Sequence, residues 1–313
     1  MSNYELLKQV GKGGFSRVIL ARQRSSGRLC AMKVISIEEL QAHGKFTQVA
    51  LERRILKHLS HAFICPFIEG FRTQKFLHFV LEFCPAGELF FHLSKNKRFG
   101  EAEACEITAE IVLALEHLHS HDIIYRDLKP ENVLVDFHGH VKLTDFGLCK
   151  QLRSKNDFSK SLCGSPEYVS PEMLITGKHS RMVDFYQLGA LLYELLTGLP
   201  PLYSHDKTTM FKQIAIDEPA YPSYLSPSAK SLLRGLLQKK PEQRLGYAQG
   251  FSEVKYSAFF SRIDWQKLPL KERAGPLRPR LNGFYFDSEY VEELSAQQIE
   301  EMSLKWSVGP ARQ

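Results

Sequence analysis

At Pro85-Ala86-Gly87 the hydrophobic rhythm of this chain changes, and the change calls for two separate cores. Before the break, apolar residues come in runs of strand length. Val18-Ile19-Leu20-Ala21 and Cys30-Ala31-Met32-Lys33-Val34-Ile35 flank the turn Ser25-Ser26-Gly27, and further strand signal covers 67–72 and 76–83. One helical stretch, near 48–59, interrupts them. After the break the period is helical. Ala104, Ile107, Ile111, Leu115 and Leu118 form one stripe of a helix predicted over 101–121, with Glu101, Glu103 and Glu106 loading its positive end. Ser226-Pro227 opens another helix, whose apolar face is Ala229, Leu232, Leu233, Leu236 and Leu237. From about Phe260 prolines and charges replace any period, which reads as a tail wrapped on the surface. The expectation is an α+β chain: a small β-rich lobe over 1–84, a larger α-helical lobe over 85–260 and a tail over 261–313.

Composition narrows the function classes. Apolar residues make up 43% and charged residues 24% of the 313 positions, ordinary globular usage that excludes a fibrous or mostly disordered chain. The longest apolar run, Ile111-Val112-Leu113-Ala114-Leu115, is far below the roughly 20 residues of a membrane helix, so no transmembrane segment is expected. The first 30 residues carry no basic-then-apolar leader, so a secretory signal is not expected either. The net charge of +6 is uneven: the stretch from Phe286 to Glu301 holds six acidic residues and no basic ones, leaving +12 on the remainder. Such a body could attract a polyanion, but no zinc spacing or repeat marks a nucleic-acid module, and a solvated basic surface is the plainer reading. Cys30, Cys65, Cys84, Cys105, Cys149 and Cys163 form no CxxC pair and no disulfide framework. They favour a reducing compartment, with the cytoplasm, and the nucleus as a second location, as the expectation.

The chemistry lies in an ordered series of motifs. Gly11-Lys12-Gly13-Gly14-Phe15-Ser16-Arg17-Val18 sits between two predicted strands, where glycines let backbone N–H groups approach a phosphate. Taken alone it fits a hairpin turn equally well, and the strand that follows argues against a dinucleotide fold. Lys33 interrupts an apolar strand and needs an anionic partner if buried; alone, it also fits the solvent face of an alternating strand. Glu52, on the predicted helix, is one candidate partner. The segment Tyr125-Arg126-Asp127-Leu128-Lys129-Pro130-Glu131-Asn132 sets a carboxylate, a lysine and an amide on a proline-stiffened loop, and Asp145-Phe146-Gly147 follows two short strands later. Oxygen ligands for a hard cation, a separate carboxylate for an acceptor hydroxyl and a glycine loop together suit magnesium-nucleotide chemistry.

This order, completed by Ser170-Pro171-Glu172, resembles the eukaryotic protein kinases over about residues 4–260. Tyr125 in place of the usual histidine, Cys163-Gly164-Ser165-Pro166-Glu167-Tyr168 and the tail Phe286-Asp287-Ser288-Glu289-Tyr290 are similar to the AGC group, near its ribosomal-protein kinase and protein kinase B branch. The resemblance implies the bilobal kinase fold with an AGC-type tail, ATP and Mg²⁺ as cofactors, and phosphoryl transfer to Ser or Thr. It implies that Gly11, Lys12, Gly13, Gly14, Phe15 and Ser16 cover the phosphates, with Ser16 where the third glycine usually stands. Lys33 would contact the α- and β-phosphates and pair with Glu52. Val18 and Ala31 would cover the purine, Leu81 would line its inner edge, and the backbone of Glu82 and Cys84 would pair with adenine. Asp127 would orient the substrate hydroxyl, Lys129 would touch the transferring phosphate, and Asn132 and Asp145 would hold the metal. A pseudokinase, the same fold without turnover, is disfavoured because Lys33, Glu52, Asp127, Asn132 and Asp145 are all present.

The same resemblance implies partners and regulation. Glu88, Glu131 and Glu194 stand where basophilic members read arginines upstream of the acceptor, and Glu88 also has a ribose role in the family. Each could equally be a structural carboxylate. Leu148 matches members that prefer serine. Ser161 is the expected activation phosphosite, with Arg126 and Lys150 as its cations and an upstream kinase as its writer. Glu172 and Arg244 match a structural ion pair, and Asp184 matches the acid that caps the catalytic loop. Phe286 and Tyr290 resemble tail aromatics that tuck beside the nucleotide. The terminal hydrophobic motif is degenerate at Trp306-Ser307-Val308, with Ser303 in place of its first aromatic. A monomer with basic protein substrates and no specific nucleic acid completes the expectation.

Overall fold

The computed structural model describes residues 3–152, 157–160, 163–278, 292–295, 298 and 302. The chain forms two compact units: Met1–Ser60 with Cys65–Gly87 and Leu281–Gln313, and His61–Ile64 with Glu88–Arg280. No helix among the described residues is long and apolar enough to cross a membrane.

The first unit is an antiparallel sheet of β1 (Tyr4–Lys12), β2 (Ser16–Gln23), β3 (Leu29–Ser36), β4 (Phe67–Arg72) and β5 (Phe76–Glu82), carrying the helices α1 (Ile37–Ala42) and α2 (Phe46–His58). The strand order is β1-β2-β3-β5-β4, and a two-residue tail strand, Glu292–Glu293, pairs with β1 through Lys8 and Gln9. Side chains alternate across each strand, so register decides which face is core. Cys30, Met32 and Val34 of β3 turn toward Tyr4, Leu6, Ile19, Ala21 and Val80, and Met302 of the tail joins this cluster. Met302, with the partly buried Leu294 packed against the same cluster, is therefore part of the core of this unit. Gly27 closes the β2–β3 turn with φ +70°, a left-handed conformation that glycine adopts without a Cβ clash.

The second unit is helical. In chain order it contains α3 (Leu89–Asn96), α4 (Glu101–Ser120), β6 (Ile123–Ile124), β7 (Val133–Val135), β8 (Val141–Leu143), β9 (Lys150–Gln151), β10 (Ser159–Lys160), α5 (Pro171–Thr176), β11 (Lys178–His179), α6 (Met182–Thr197), α7 (Lys207–Ile216), α8 (Pro227–Leu236) and α9 (Phe251–Lys255). α6 is its axis. Phe185, Leu188, Ala190, Leu191, Leu192 and Leu195 of that helix are all buried, with α4 and α8 packed against it. The predicted helix 101–121 is α4. The acids of its first turns do more than complement a dipole: Glu103 accepts a bond from the Gly100 amide, and Glu101 accepts one from the Ser226 amide at 2.7 Å, tying α4 to the start of α8.

From 261 to 278 the stretch lies along the second unit, mostly exposed or half-buried, and is fastened to it by specific bonds. Gly275 donates its amide to the His138 carbonyl, Leu277 donates to the Gly139 carbonyl, and the Lys271 ammonium reaches Asp136 at 3.2 Å. These contacts cross the β7–β8 turn, so the segment is built into the second unit. Its composition hid this, because backbone-to-backbone bonds leave no hydrophobic period to read.

The Ser226 hydroxyl caps α8 by accepting the Ala229 amide at 3.1 Å. Replacing it leaves an orphan donor at the helix start. Ser226→Ala is expected to lower stability by about 1 kcal/mol, read as a fall in urea midpoint with an unchanged m-value, while Ser226→Asp keeps most of it.

Candidate active site

In the first unit, β-register assembles one polar-edged face. Val18 of β2 lies opposite Lys33 of β3, and Ala31, two residues before Lys33, lies opposite Leu81 of β5. Directly opposed residues of an antiparallel pair share a face, so Val18, Ala31, Lys33 and Leu81 line the face opposite to the Met32 core. Lys33 is not a solvent-face lysine: its ammonium meets the Glu52 carboxylate at 2.7 Å, with 15% and 4% of the two side chains exposed. α2 supplies Glu52 from its buried side, beside Val49, Ile55 and Leu56. The β1–β2 turn holds the glycines, closed by the Gly13 amide on the Ser16 carbonyl at 2.7 Å. Nothing lies within 4 Å of where a Gly14 Cβ would stand, whereas a Gly13 Cβ would meet the Ser16 hydroxyl at 3.0 Å. Ser16 thus folds back onto its own turn. Phe15 stacks at a tilt on His43, with ring centroids 4.8 Å apart. Where β5 ends, the Glu82 amide donates to the Pro66 carbonyl and the Cys84 carbonyl accepts the Gly87 amide.

In the second unit, α6 holds the catalytic segment by its backbone. Asp184 accepts the Tyr125 amide at 2.9 Å and the Arg126 amide at 2.8 Å, and the His119 ring at 2.6 Å. One turn on, Gln187 accepts the Leu128 amide and donates to the Arg126 carbonyl. Gln187 and His119 were not anticipated. The available signal for Gln187 was a lone amide three residues after Asp184 on an otherwise apolar helix, a spacing that puts both on one face.

So held, the segment converges on Asp127. The Asn132 amide nitrogen donates to both the Asp127 carboxylate, at 2.7 Å, and its carbonyl, at 2.8 Å. That fixes the direction of Asn132 and makes its side-chain oxygen the atom that could hold a cation. The Lys129 ammonium lies 3.9 Å from Asp127 and bonds the Ser165 hydroxyl at 2.8 Å. Burial raises the Asp127 carboxyl above the ordinary aspartate value, against the pull of Lys129 and the Asn132 bond. Asp145 is exposed, with φ +50°, and its carboxylate accepts the Gly147 amide at 3.2 Å. The buried Phe146 ring stands edge-on to Tyr125, whose hydroxyl bonds the Thr144 carbonyl. One carboxylate and one amide oxygen suit Mg²⁺, which takes few protein ligands and keeps phosphate oxygens and water.

Three further groups are placed. Glu172 and Arg244 form a bidentate pair, 2.8 Å on both arms, and the buried guanidinium also donates to the Met182, Gln238 and Lys239 carbonyls. Arg126 and Lys150 converge on the Ser159 hydroxyl at 3.0 and 3.1 Å, and Arg126 also reaches the Leu148 carbonyl and the His179 ring. Burial and that guanidinium hold His179 down to about 4. Ser161 itself lies outside the described residues, as do Phe286, Tyr290, Ser303 and Trp306. Of the three proposed arginine readers, Glu131 and Glu194 line one cavity together with Glu167, while Glu88 stands exposed at the start of α3 and is not part of its wall.

Residues 4–259 match the protein kinase domain, and the chain belongs to that family. It is 42% identical to the RAC family serine/threonine-protein kinase homolog of Dictyostelium discoideum, over 90% of this chain and 63% of that protein. It is 42% identical to human RAC-beta serine/threonine-protein kinase, over 94% of this chain and 62% of the relative. To serine/threonine-protein kinase YPK1 of Saccharomyces cerevisiae it is 39% identical, over 95% and 44%. These relatives are AGC kinases, the group that the motifs resemble. The chain spans less than two thirds of their length.

Removing one member of a buried, fully bonded ion pair strands the other. Glu172→Ala should therefore destabilise the protein by about 3–5 kcal/mol, measured by chemical denaturation. A change below about 0.5 kcal/mol would show that water or relaxation replaces the pair.

Proposed function

We propose that the chain is a serine/threonine protein kinase that transfers the γ-phosphoryl of Mg-ATP to serine in arginine-rich sequences. The observation that carries this reading is the Asp127–Asn132 pair. One carboxylate is held by an amide whose oxygen remains for a cation, beside a lysine and a second carboxylate, Asp145. Asn132 and Asp145 would hold the metal, whose charge offsets that of the phosphates. Asp127 accepts a hydrogen bond from the substrate hydroxyl and aims it at the phosphorus. Most of its contribution is orientation, since the transition state asks for little base strength. The Lys129 ammonium then stabilises charge on the transferring group. In the other unit, Glu52 pins Lys33, so that its ammonium is presented in one position to phosphate oxygens.

Substrate choice follows from carboxylates. Glu131 and Glu194 in their cavity, and Glu88 at α3, read arginines upstream of the acceptor, and Leu148 favours serine. Activation is by phosphate on Ser161, written by an upstream kinase. The convergence of Arg126 and Lys150 on Ser159, two residues before it, supports a cationic seat there. The monomeric enzyme works on basic protein substrates in the cytoplasm or nucleus.

Asp145→Asn should remove most turnover of a serine peptide while leaving the unfolding midpoint near that of the parent, because Asp145 is exposed. Lys33→Met should also remove most turnover, but with a lowered midpoint, because it strands the buried Glu52 carboxylate. Parent-like turnover in Asp145→Asn sinks the site assignment. Replacing the upstream arginine of the peptide by alanine should raise KM about tenfold, since a partly exposed charge-assisted pair contributes about 1.4 kcal/mol. Ser161→Ala should lower activity, and equal turnover by phosphorylated and dephosphorylated chains would remove that mode of activation.

A further inference from the structure

The cavity that contains Glu131 and Glu194 is built against its own charge. It has a volume of about 430 Å³, and its wall carries three carboxylates from three elements: Glu194 near the end of α6, Glu131 in the turn Pro130–Asn132, and Glu167 in the turn Pro166–Tyr168. Lys97, at the end of α3, is the only cation among the described lining residues, and it is exposed. Tyr203 and Tyr168 are the other titratable groups in the wall. The Tyr168 hydroxyl donates to Oε2 of Glu194, whose side chain is otherwise buried. Oε2 of Glu131 is buried with no protein partner. Gly198 closes the rim behind Glu194 with φ +92°, and a Cβ there would stand 2.3 Å from the Lys97 carbonyl, so the wall cannot open by exchanging that residue.

We propose that this pocket takes up its cationic substrate residue in exchange for a proton: empty, it holds one on Glu194, and an entering guanidinium expels it to solvent. The inference rests on the arginine reading proposed above and adds the chemistry of capture. Three carboxylates in one small cavity cannot all be ionised without a counter-ion. Glu194 is the one that yields, because it is the most buried of the three and has a single donor. Tyr168 occupies Oε2, so the proton belongs on Oε1. Burial, and then the charges of Glu131 and Glu167, push the Glu194 carboxyl up to about 8. A guanidinium brings the missing charge and up to five donors, enough for Oε1 of Glu194 and the unpartnered oxygen of Glu131 together. The Oε1–H bond breaks, the proton passes to water, and the filled pocket keeps the same net charge as the empty one. A neutral side chain brings no charge to exchange, so it leaves the proton on Glu194, and only a cation seated against Oε1 discharges it.

The test is calorimetric titration of the full chain, without nucleotide, with a peptide that has alanine at the acceptor and one upstream arginine, in two buffers of different ionisation enthalpy. At pH 7 the parent should release close to one proton per peptide bound. Affinity should rise about tenfold from pH 6 to pH 7 and level off above pH 8, because protons and peptide compete for one site. Glu194→Gln should abolish both the release and the pH dependence. Glu167→Gln removes a like charge yet keeps Glu194, so it should shift the affinity curve to lower pH and shrink the release at pH 7. An arginine-dependent affinity with no proton release overturns the exchange and leaves the arginine reading standing. Equal binding of the arginine and alanine peptides overturns both. Undiminished release in Glu194→Gln places the proton elsewhere and overturns the proposal.

Discussion

One buried carboxylate determines where the chemistry can occur. Asp184 sits on the most deeply buried helix of its unit and accepts two consecutive backbone amides, Tyr125 and Arg126, and a histidine ring. The segment from Tyr125 to Asn132 needs such a device. It is buried yet belongs to neither a long helix nor a sheet, so its N–H groups have no ladder to join, and each unpaired one would cost free energy. Arg126 also adopts φ +70°, which a residue with a Cβ holds only where its surroundings enforce it. Asp184 and Gln187 supply that enforcement from a rigid helix. Asp127 follows directly, so its placement is inherited from α6.

Arg126 carries the constraint outward. Its backbone is fixed by α6, while its guanidinium ties the Leu148 carbonyl, just past Asp145-Phe146-Gly147, to Ser159 and His179. A planar cation with five donors can bridge three chain segments at once, which an ammonium could not do with fixed geometry. His179 accepts from Arg126 and is kept neutral by the burial and charge that lower it, so among the described residues the cations bonded to Ser159 are Arg126 and Lys150. The phosphate proposed for Ser161 would therefore face two positive charges from these residues instead of three.

Much of this was legible in the sequence, for reasons particular to each residue. The strands were visible at β2, β3, β4 and β5 because their apolar runs are bounded by turn residues. β1 was expected only as a strand before the glycine turn, without bounds, since Tyr4–Lys12 mixes polar and apolar positions and its buried residues Tyr4 and Leu6 cluster with other strands and with Met302 of the tail. The motif residues were legible as chemistry, but their contacts were not. Lys33 had a plausible solvent-face reading until β-register put it on one face with Val18 and Ala31 and α2 brought Glu52 to it. Gln187 and Glu167 lie outside the catalytic triplets and act through positions that only folding brings near. Glu88 shows the opposite case: grouped with Glu131 and Glu194 by the family resemblance, it is not among the residues that line their cavity.

Partners, more than burial, decide what each acid of the second unit can do. Asp136, Asp127 and Glu194 are almost equally hidden, at 6%, 9% and 7% exposure. Burial alone would raise all three alike. For Asp136 the burial cost is outweighed by Lys271, by the His138 and His140 amides and by Lys142, and its carboxyl is held below the usual value. For Asp127 one ammonium at 3.9 Å, the Asn132 side-chain amide and the Ser165 backbone amide fall short of that cost, and the carboxyl stays raised. For Glu194 a single tyrosine stands against burial and two neighbouring carboxylates. The order of donor supply is thus the order of anion stability. Asp136 fastens the segment after residue 260 through Lys271. In the proposed reaction Asp127 accepts one further hydrogen bond, from the substrate hydroxyl. In the proposed exchange Glu194, with the fewest donors, has the largest electrostatic gain to make from a cation that arrives from outside.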